Sequence, residues 1–396
     1  MKIGIYSGTI PPPIFIENLV NGLADIGNKV FIYGKPGEGY YQSSNSSIIQ
    51  RKIPVTKFGV IPYFIFSLIR LIIIKPHICL TLVNMIRQHS TNWIQFLKRS
   101  CRVLPPFIDN LDIFHIQWAK TLVQYPEFIE KIKCPVVLSL RGTHINVSPL
   151  SDEQLALSYK KYFPQIHGFH AVSQSISKEV EKYGADIKKI TVIKPAVEEK
   201  LLNYKADRTK NLDSNTLHII SVGRCHWIKG YTFALDAMSI LRKEKVDFHY
   251  TIIASGRDQE NIFYQIHDLG LSEYVTFING LSHKEAIDKI SESDLFLLSS
   301  VGEGISNVVL EAMALGIPVI STDCGGMEEV IKNEGNGFVI SVREPKLIAI
   351  QIQRFLKISN NDRLAMINNA RETIRENYLL GEQIDKMQHF YQTHFL

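Results

Sequence analysis

The stretch Ser299-Ser300-Val301-Gly302-Glu303-Gly304-Ile305-Ser306-Asn307-Val308-Val309-Leu310-Glu311-Ala312-Met313-Ala314-Leu315-Gly316-Ile317-Pro318 follows the apolar run Leu295–Leu298. It reads as a strand, a glycine-bearing loop and a helix. Ser306 or Asn307 is placed to cap the helix, Gly316 to close it, and Pro318 forbids its continuation. The first-turn amides of Asn307, Val308 and Val309 are then expected to point back into the loop, where with the helix dipole they suit a phosphate. Gly304 lets the backbone come close to a ligand. Glu303 lies in the loop, and Glu311 lies one turn inside the helix from Asn307. Carboxylates on either side of an anion site do not suit the phosphate itself; they suit the hydroxyls of a ribose and of a sugar beside it. The residues alone leave a second reading open, in which Glu303 is a loop charge and Glu311 a surface helix residue.

Outward from this segment, apolar runs alternate with helical segments, the pattern of parallel sheets with crossover helices. In the first half the runs are Lys2–Tyr6, Val30–Tyr33, Ile113–Ile116, Val136–Leu140, Phe169–Val172 and Thr191–Ile193. In the second they are Leu217–Val222, Phe248–Ala254, Val275–Ile278, Leu295–Leu298, Val319–Ser321 and Phe338–Ile340. Glu17–Ile26 sets Leu19, Val20, Leu23 and Ile26 on one helical face, with Gly27 to end it. Ser173 is an N-cap for a segment that stops at Gly184. The polar segment Glu198–Asn215 reads as a linker. A chain of 396 residues suits two domains. The expectation is an α/β protein with two doubly wound, Rossmann-like domains, 1–200 and 215–375, facing each other across a cleft where ligands bind. A last helix, Asn361 to His394, is expected to pack back on the first domain through residues 376–396.

Glu303, seven residues and Glu311, followed by Ala-Met-Ala and Gly-x-Pro-Val, closely resemble the EX7E motif of retaining glycosyltransferases of family 4, which have the GT-B fold. Gly223-Arg224-Cys225-His226-Trp227-Ile228-Lys229-Gly230, just after a strand, resembles that family's G-R-x(4)-K-G element. Asp323-Cys324-Gly325-Gly326-Met327-Glu328-Glu329 resembles its glycine-pair turn, and Val275–Gly280 the strand and turn lining its base pocket. The resemblance is strong from residue 217 to about 342. It implies glycosyl transfer from a nucleoside-diphosphate sugar with retention at the anomeric carbon. Carried onto this sequence, Glu311 would bind the ribose and Glu303 the donor sugar, while Arg224 and Lys229 would hold the diphosphate as the leaving group gains charge. Gly304, Ile305, Ser306, Asn307, Val308, Gly223, Gly256 and Gly280 would line the donor, with base choice resting on Ala254–Arg257 and Ile278–Leu281. No Asp-x-Asp triplet occurs, which fits the metal independence of the fold, and no cofactor is expected.

Two departures stand out. Many relatives have His-Gly after the strand that here ends at Leu140, and that histidine approaches the donor sugar. This chain has Arg141-Gly142-Thr143-His144, so either Arg141 takes that place or His144 reaches it. At the first loop, where relatives often carry a glycine pair, stands Pro11-Pro12-Pro13.

Composition bounds the remaining classes. The chain is 45% hydrophobic and 21% charged, which excludes a disordered or coiled-coil protein. Met1-Lys2 leads straight into a buried strand, which argues against a signal peptide. Five scattered cysteines suit a reducing compartment. Residues 1–200 carry 24 Lys+Arg and 14 Asp+Glu, a net of +10, and residues 201–396 carry 20 and 25, a net of −5. No acid lies between Glu38 and Asp109, where Arg70, Lys75, Arg87, Lys98, Arg99 and Arg102 alternate with aromatic and aliphatic residues. The run Ile61–Ile74 is too short for a bilayer that needs about 20 residues. Basic and apolar residues together suit attachment to an anionic inner membrane leaflet, presenting a lipid-linked or oligosaccharide acceptor. A solvated flank of core helices is the plainer reading, and no nucleic-acid motif accompanies the charge. The overall expectation is a cytoplasmic, membrane-peripheral glycosyltransferase of surface polysaccharide biosynthesis. A non-catalytic nucleotide-sugar-binding subunit and a nucleotide-sugar 2-epimerase of the same fold are the alternatives.

Overall fold

The computed structural model describes residues 1–39, 41, 43, 45–204, 216–256 and 258–395; Arg257 and most of the expected linker, 205–215, therefore lie outside the described residues. The chain forms two compact units. The first holds Met1–Val172, Ile176–Ile193 and the chain from Gln383 onward. Its strands are β1 (Lys2–Ile10), β2 (Lys29–Pro36), β3 (Ile48–Lys52), β4 (Ile113–Ile116), β5 (Val136–Leu140), β6 (Gly168–Ala171) and β7 (Ile190–Val192). They form a parallel sheet in the order β3-β2-β1-β4-β5-β6-β7. β4, β5 and β6 are buried along their whole length, as a sheet covered on both faces requires, and their unbroken apolar runs follow from this.

Strand β3 escaped the sequence reading. Its residues Ile-Ile-Gln-Arg-Lys are half-buried or exposed at the sheet edge, where no continuous apolar run is needed. Strand β1 runs further than expected. Its pairing with β4 stops at Tyr6 opposite Ile116, whereas its pairing with β2 resumes after a register shift at Gly8 and continues to Ile10 opposite Pro36. β1 and β4 therefore part company beyond Tyr6.

The second unit holds Ser173–Ser175 and Lys194–Glu382, starting ahead of the expected residue 215. Val197, Leu201 and Leu202, expected at or beside the linker, are buried in its core. Its strands are β8 (Leu217–Arg224), β9 (Phe248–Ser255), β10 (Val275–Ile278), β11 (Leu295–Leu298), β12 (Val319–Thr322) and β13 (Phe338–Ile340). They are parallel and ordered β10-β9-β8-β11-β12-β13. Both units are thus Rossmann-like.

The last helix is two. Asn360–Asn377 and Leu380–Phe395 are separated where Leu379 forms a bridge with Val197; the Val197 amide donates to the Tyr378 carbonyl (2.9 Å) and the Leu380 amide to the Val197 carbonyl (2.9 Å). Within the first unit the final helix is set by glycines. A Cβ on Gly22 would lie 2.5 Å from Ile384, and one on Gly168 would lie 2.4 Å from the Phe395 ring. The segment after Ser173 is a short helix, Gln174–Glu179, and a 3-10 turn, Glu181–Tyr183, ended by Gly184 at φ 80°.

Candidate functional site

In the second sheet the chain winds outward from β8 to β10 on one side and from β11 to β13 on the other. β8 and β11 flank the point where the order reverses, and the crevice outside their carboxyl ends is where open α/β sheets bind ligands. β8 ends in Gly223-Arg224, and β11 leads into the loop carrying Glu303. Gly256 follows β9 and Gly280 follows β10, so Gly223, Gly256 and Gly280 lie on one edge of the sheet.

Close backbone approaches fix this edge. Gly230 has φ 63°, and a Cβ there would lie 2.0 Å from the Ser299 carbonyl oxygen. The Val301 amide donates to the Ile228 carbonyl (2.8 Å) and Ser299 Oγ to the Lys229 carbonyl (3.0 Å), locking the Lys229 turn to the Glu303 loop. From the other side, Gly325 at φ 64° would set a Cβ 2.0 Å from the Glu303 carbonyl oxygen, and the Gly326 amide donates to Gly304 (2.6 Å). The glycine pair exists because the Glu303–Gly304 backbone lies directly against it.

Between these walls the Lys229 ammonium meets Glu303 Oε1 at 2.6 Å, and Ser300 Oγ donates to the same oxygen at 2.9 Å. Lys229, which the sequence assigned to an anion, is therefore paired with the neighbouring carboxylate. Arg224 is exposed, and its guanidinium has no hydrogen-bond or ion-pair partner among the described residues. The helix Asn307–Leu315 follows, ended by Gly316 at φ 74°. Ser306 is its N-cap by position, but no side-chain capping bond forms. The Val309 amide donates to the Ser306 carbonyl (3.1 Å), which corrects the expectation of three available amides to two, those of Asn307 and Val308. Ile305 and Ser306 are buried, and the Ser306 amide contacts Met327 Sδ at 3.4 Å. Asn307 Oδ1 is buried with no hydrogen-bond partner among the described residues.

Glu311 is buried, and its Oε1 lies 2.8 Å from His283 Nε2. That hydrogen bond raises the His283 pKa above its ordinary value, against the opposing effect of burial. His283 was missed by the sequence reading. It opens the helix His283–Ser291, whose Ser282/Glu285 capping box is legible, but nothing local ties it to Glu311.

In the first unit, Arg141 and His144 lie beyond β5. Arg141 Nη2 donates to Gln117 Oε1 (3.0 Å), its guanidinium sits 4.4 Å from the Phe15 ring centre, and its Nε has no hydrogen-bond partner among the described residues. Burial pulls the guanidinium pKa down to about 9, leaving it charged at neutral pH. The His144 ring packs against Trp118, with centroids 5.4 Å apart. Behind them runs a buried chain that the sequence did not announce. Tyr391 Oη lies 2.6 Å from His115 Nδ1, His115 Nε2 lies 2.8 Å from Ser139 Oγ, and Ser139 Oγ lies 2.9 Å from His170 Nδ1. Burial drives both histidine pKa values down, that of His170 to about 3.

Of the basic set, Arg70, Lys75, Arg87 and Lys98 are half-buried or exposed. Arg99 is committed to the buried Glu127 through two bonds of 2.6 and 2.9 Å, and Arg102 Nη1 donates to Tyr125 Oη (2.8 Å). Among the described residues no cluster of three or more His, Cys, Asp or Glu is placed to hold a metal ion.

Residues 204–373 match the family described as Glycosyl transferases group 1. They are a group 1 glycosyltransferase domain. It contains Arg224, Lys229, Glu303 and Glu311. The chain is 26% identical over 259 residues, 63% of its length, to an amylovoran biosynthesis glycosyltransferase of Erwinia amylovora. It is 26% identical over 213 residues, 52% of its length, to a putative colanic acid biosynthesis glycosyltransferase of Escherichia coli. These matches span 62% and 52% of the two relatives, less than two thirds of either. Among solved structures, Anabaena HepE in complex with UDP and glucose superposes with a TM-score of 0.71 at 17% identity, covering 99% of this chain and 100% of that one. The fold is GT-B.

Proposed function

We propose that this protein is a retaining, metal-independent glycosyltransferase that moves a sugar from a nucleoside-diphosphate sugar to a lipid-linked saccharide during surface polysaccharide assembly. The Lys229–Glu303 pair at the switch point of the group 1 domain carries this reading. It sets a cation and a carboxylate side by side, on the side of the sheet where Arg224 ends β8 and the helix Asn307–Leu315 begins after the Glu303 loop. A diphosphate bound there meets Arg224, the helix N-terminus and the remaining N–H donors of Lys229, groups whose attraction grows as the leaving oxygen gains charge. Glu303, fixed by Ser300 and Lys229, accepts hydrogen bonds from the donor sugar. Glu311, fixed by His283, accepts them from the ribose. The UDP and UDP-glucose complexes of HepE support a nucleotide-sugar donor, and the two polysaccharide-biosynthesis relatives support the pathway class.

The same proposal puts the enzyme at the inner face of the plasma membrane. In the first unit the helix Lys57–Ile74 exposes Phe58, Phe66, Ile69, Ile72 and Ile73, and Leu80, Trp93 and Ile94 on the next two helices are also exposed. Apolar surface of this kind marks an interaction face. No acid lies between Glu38 and Asp109, and each Lys or Arg near an anionic leaflet adds about 1 kcal/mol of attraction. Among the described residues no helix is long and apolar enough to cross a membrane.

The test is a thermal-shift comparison of UDP, GDP, ADP and their sugars on the wild type and an Arg224→Ala/Lys229→Ala variant. Ligand that binds only the folded state raises its apparent stability. A rise with one nucleotide, lost in the variant, supports the donor assignment and names the base. No rise with any nucleotide refutes it.

A further inference from the structure

The first sheet has its own switch point, between β1 and β4, and a cavity opens there. Pairing between these strands ends at Tyr6 and Ile116, and beyond them lies a pocket of about 470 Å³. Its wall includes Lys35 near the end of β2, Lys120 beyond β4, and Arg102 from the helix Trp93–Ile108. No Asp or Glu lines it, and none of the three cations has a carboxylate partner among the described residues. Trp118 and His144, in contact with each other, add an aromatic side. Three cations gathered in one concavity without acids repel one another, and an anionic ligand removes that cost. The chain spends its nearby carboxylates elsewhere: Asp109 on Arg51 and Glu127 on Arg99. The cavity also adjoins the apolar face of the unit. Ile53 lines it, and Val55 and Phe58, a few residues on, are exposed.

We propose that this pocket binds a phosphate or diphosphate group carried by the acceptor, held by Lys35, Arg102 and Lys120. The proposal rests on the glycosyltransferase reading for the word acceptor, and on the pocket alone for the anion. The group's source is either a lipid diphosphate, with its chain directed to the apolar face, or a soluble phosphorylated saccharide.

Binding to the full-length protein by isothermal titration separates these cases, with farnesyl diphosphate, inorganic diphosphate, farnesol and UDP as probes. Farnesyl diphosphate is expected to bind the wild type, and a Lys35→Glu/Lys120→Glu variant to bind it about 100-fold more weakly, from roughly tenfold per charge-assisted contact. UDP affinity should stay unchanged in that variant. Lys35 is exposed and Lys120 half-buried, so the variant should fold, and Lys35→Ala alone reads the same contact with a smaller loss. Arg224→Ala should weaken UDP and spare farnesyl diphosphate. Inorganic diphosphate binding as tightly as the farnesyl ester supports the phosphate site with a soluble source; a much tighter ester supports the lipid source. Farnesol binding as tightly as farnesyl diphosphate, no binding of either diphosphate, or affinity within twofold of wild type in the double variant overturns the proposal. Absence of binding by UDP, GDP and ADP with the ester still bound would defeat the donor reading alone.

Discussion

Lys229 Nζ and Glu303 Oε1 lie 2.6 Å apart, with side chains only 14% and 17% exposed, although 74 residues separate them in the chain. The pair is shielded enough for each partner to depend on the other. Lys229→Ala is expected to lower unfolding free energy by about 1–3 kcal/mol, between the values for exposed and fully buried pairs. Glu303→Gln should cost less, because the amide still accepts from Ser300. A double-mutant cycle in urea should give a coupling above about 0.5 kcal/mol; additive effects would mean the pair does not hold in solution.

Gly325→Ala should be severe. It adds a Cβ at φ 64° and 2.0 Å from the Glu303 carbonyl oxygen, so the expected cost is at least about 2 kcal/mol, accompanied by weakened UDP binding as the Glu303 loop shifts. Gly381 is the control, since a Cβ there meets nothing within 4 Å among the described residues. Gly381→Ala, in a helical first turn, should be neutral or stabilising by about 0.4–1 kcal/mol. Equal melting temperatures for the two variants would contradict the packing described.

His283 should titrate above the usual value near 6.5, because it donates to Glu311. Its contribution to stability is full below pH 6.5 and disappears as pH rises through the raised folded value. In Glu311→Gln the NMR titration midpoint should fall back toward 6.5. An unchanged midpoint would remove Glu311 as the cause.

His170 works in the opposite sense. Burial holds its folded pKa near 3 against about 6.5 when unfolded, so the unfolded chain binds the extra proton between those values. Stability is intact above pH 6.5 and falls by up to about 1.4 kcal/mol per pH unit as acid is added, with His115 adding to the slope. His170→Gln should flatten the denaturant-midpoint profile between about pH 3 and 6.5. A profile as steep as the wild type would exclude His170 as the source.

Phe58 and Ile73 are 94% and 73% exposed, so Phe58→Asp and Ile73→Asp should change stability by less than about 0.5 kcal/mol. Each should reduce co-sedimentation with phosphatidylglycerol vesicles about tenfold or more at low salt, since an inserted side chain of this size contributes about 1.5–3 kcal/mol. Unaltered sedimentation, or none by the wild type, would remove the membrane from the proposal.

Much of the group 1 domain could be read from the chain because its determinants are local. The strand-loop-helix from Leu295 to Leu315, Gly316 and Pro318 each report a backbone requirement of their own neighbourhood. Sheet interiors were legible for a related reason: strands buried on both faces, such as β5, must be continuously apolar. The edge strand β3 carries no such demand and left no signal. The break at Leu379 was hidden too, since it depends on a bridge to Val197.

What tertiary structure decided was the pairing of groups far apart in sequence. Glu303 is answered by Lys229, Glu311 by His283, and Glu127 by Arg99, which takes Arg99 out of the exposed basic surface. Composition revealed an acid-free stretch, yet it could not show which cations had found carboxylates and which remained around a cavity. Periodicity and turn residues act over a few positions and therefore appear in the sequence. Charge compensation depends on distances through space, and only the fold sets those.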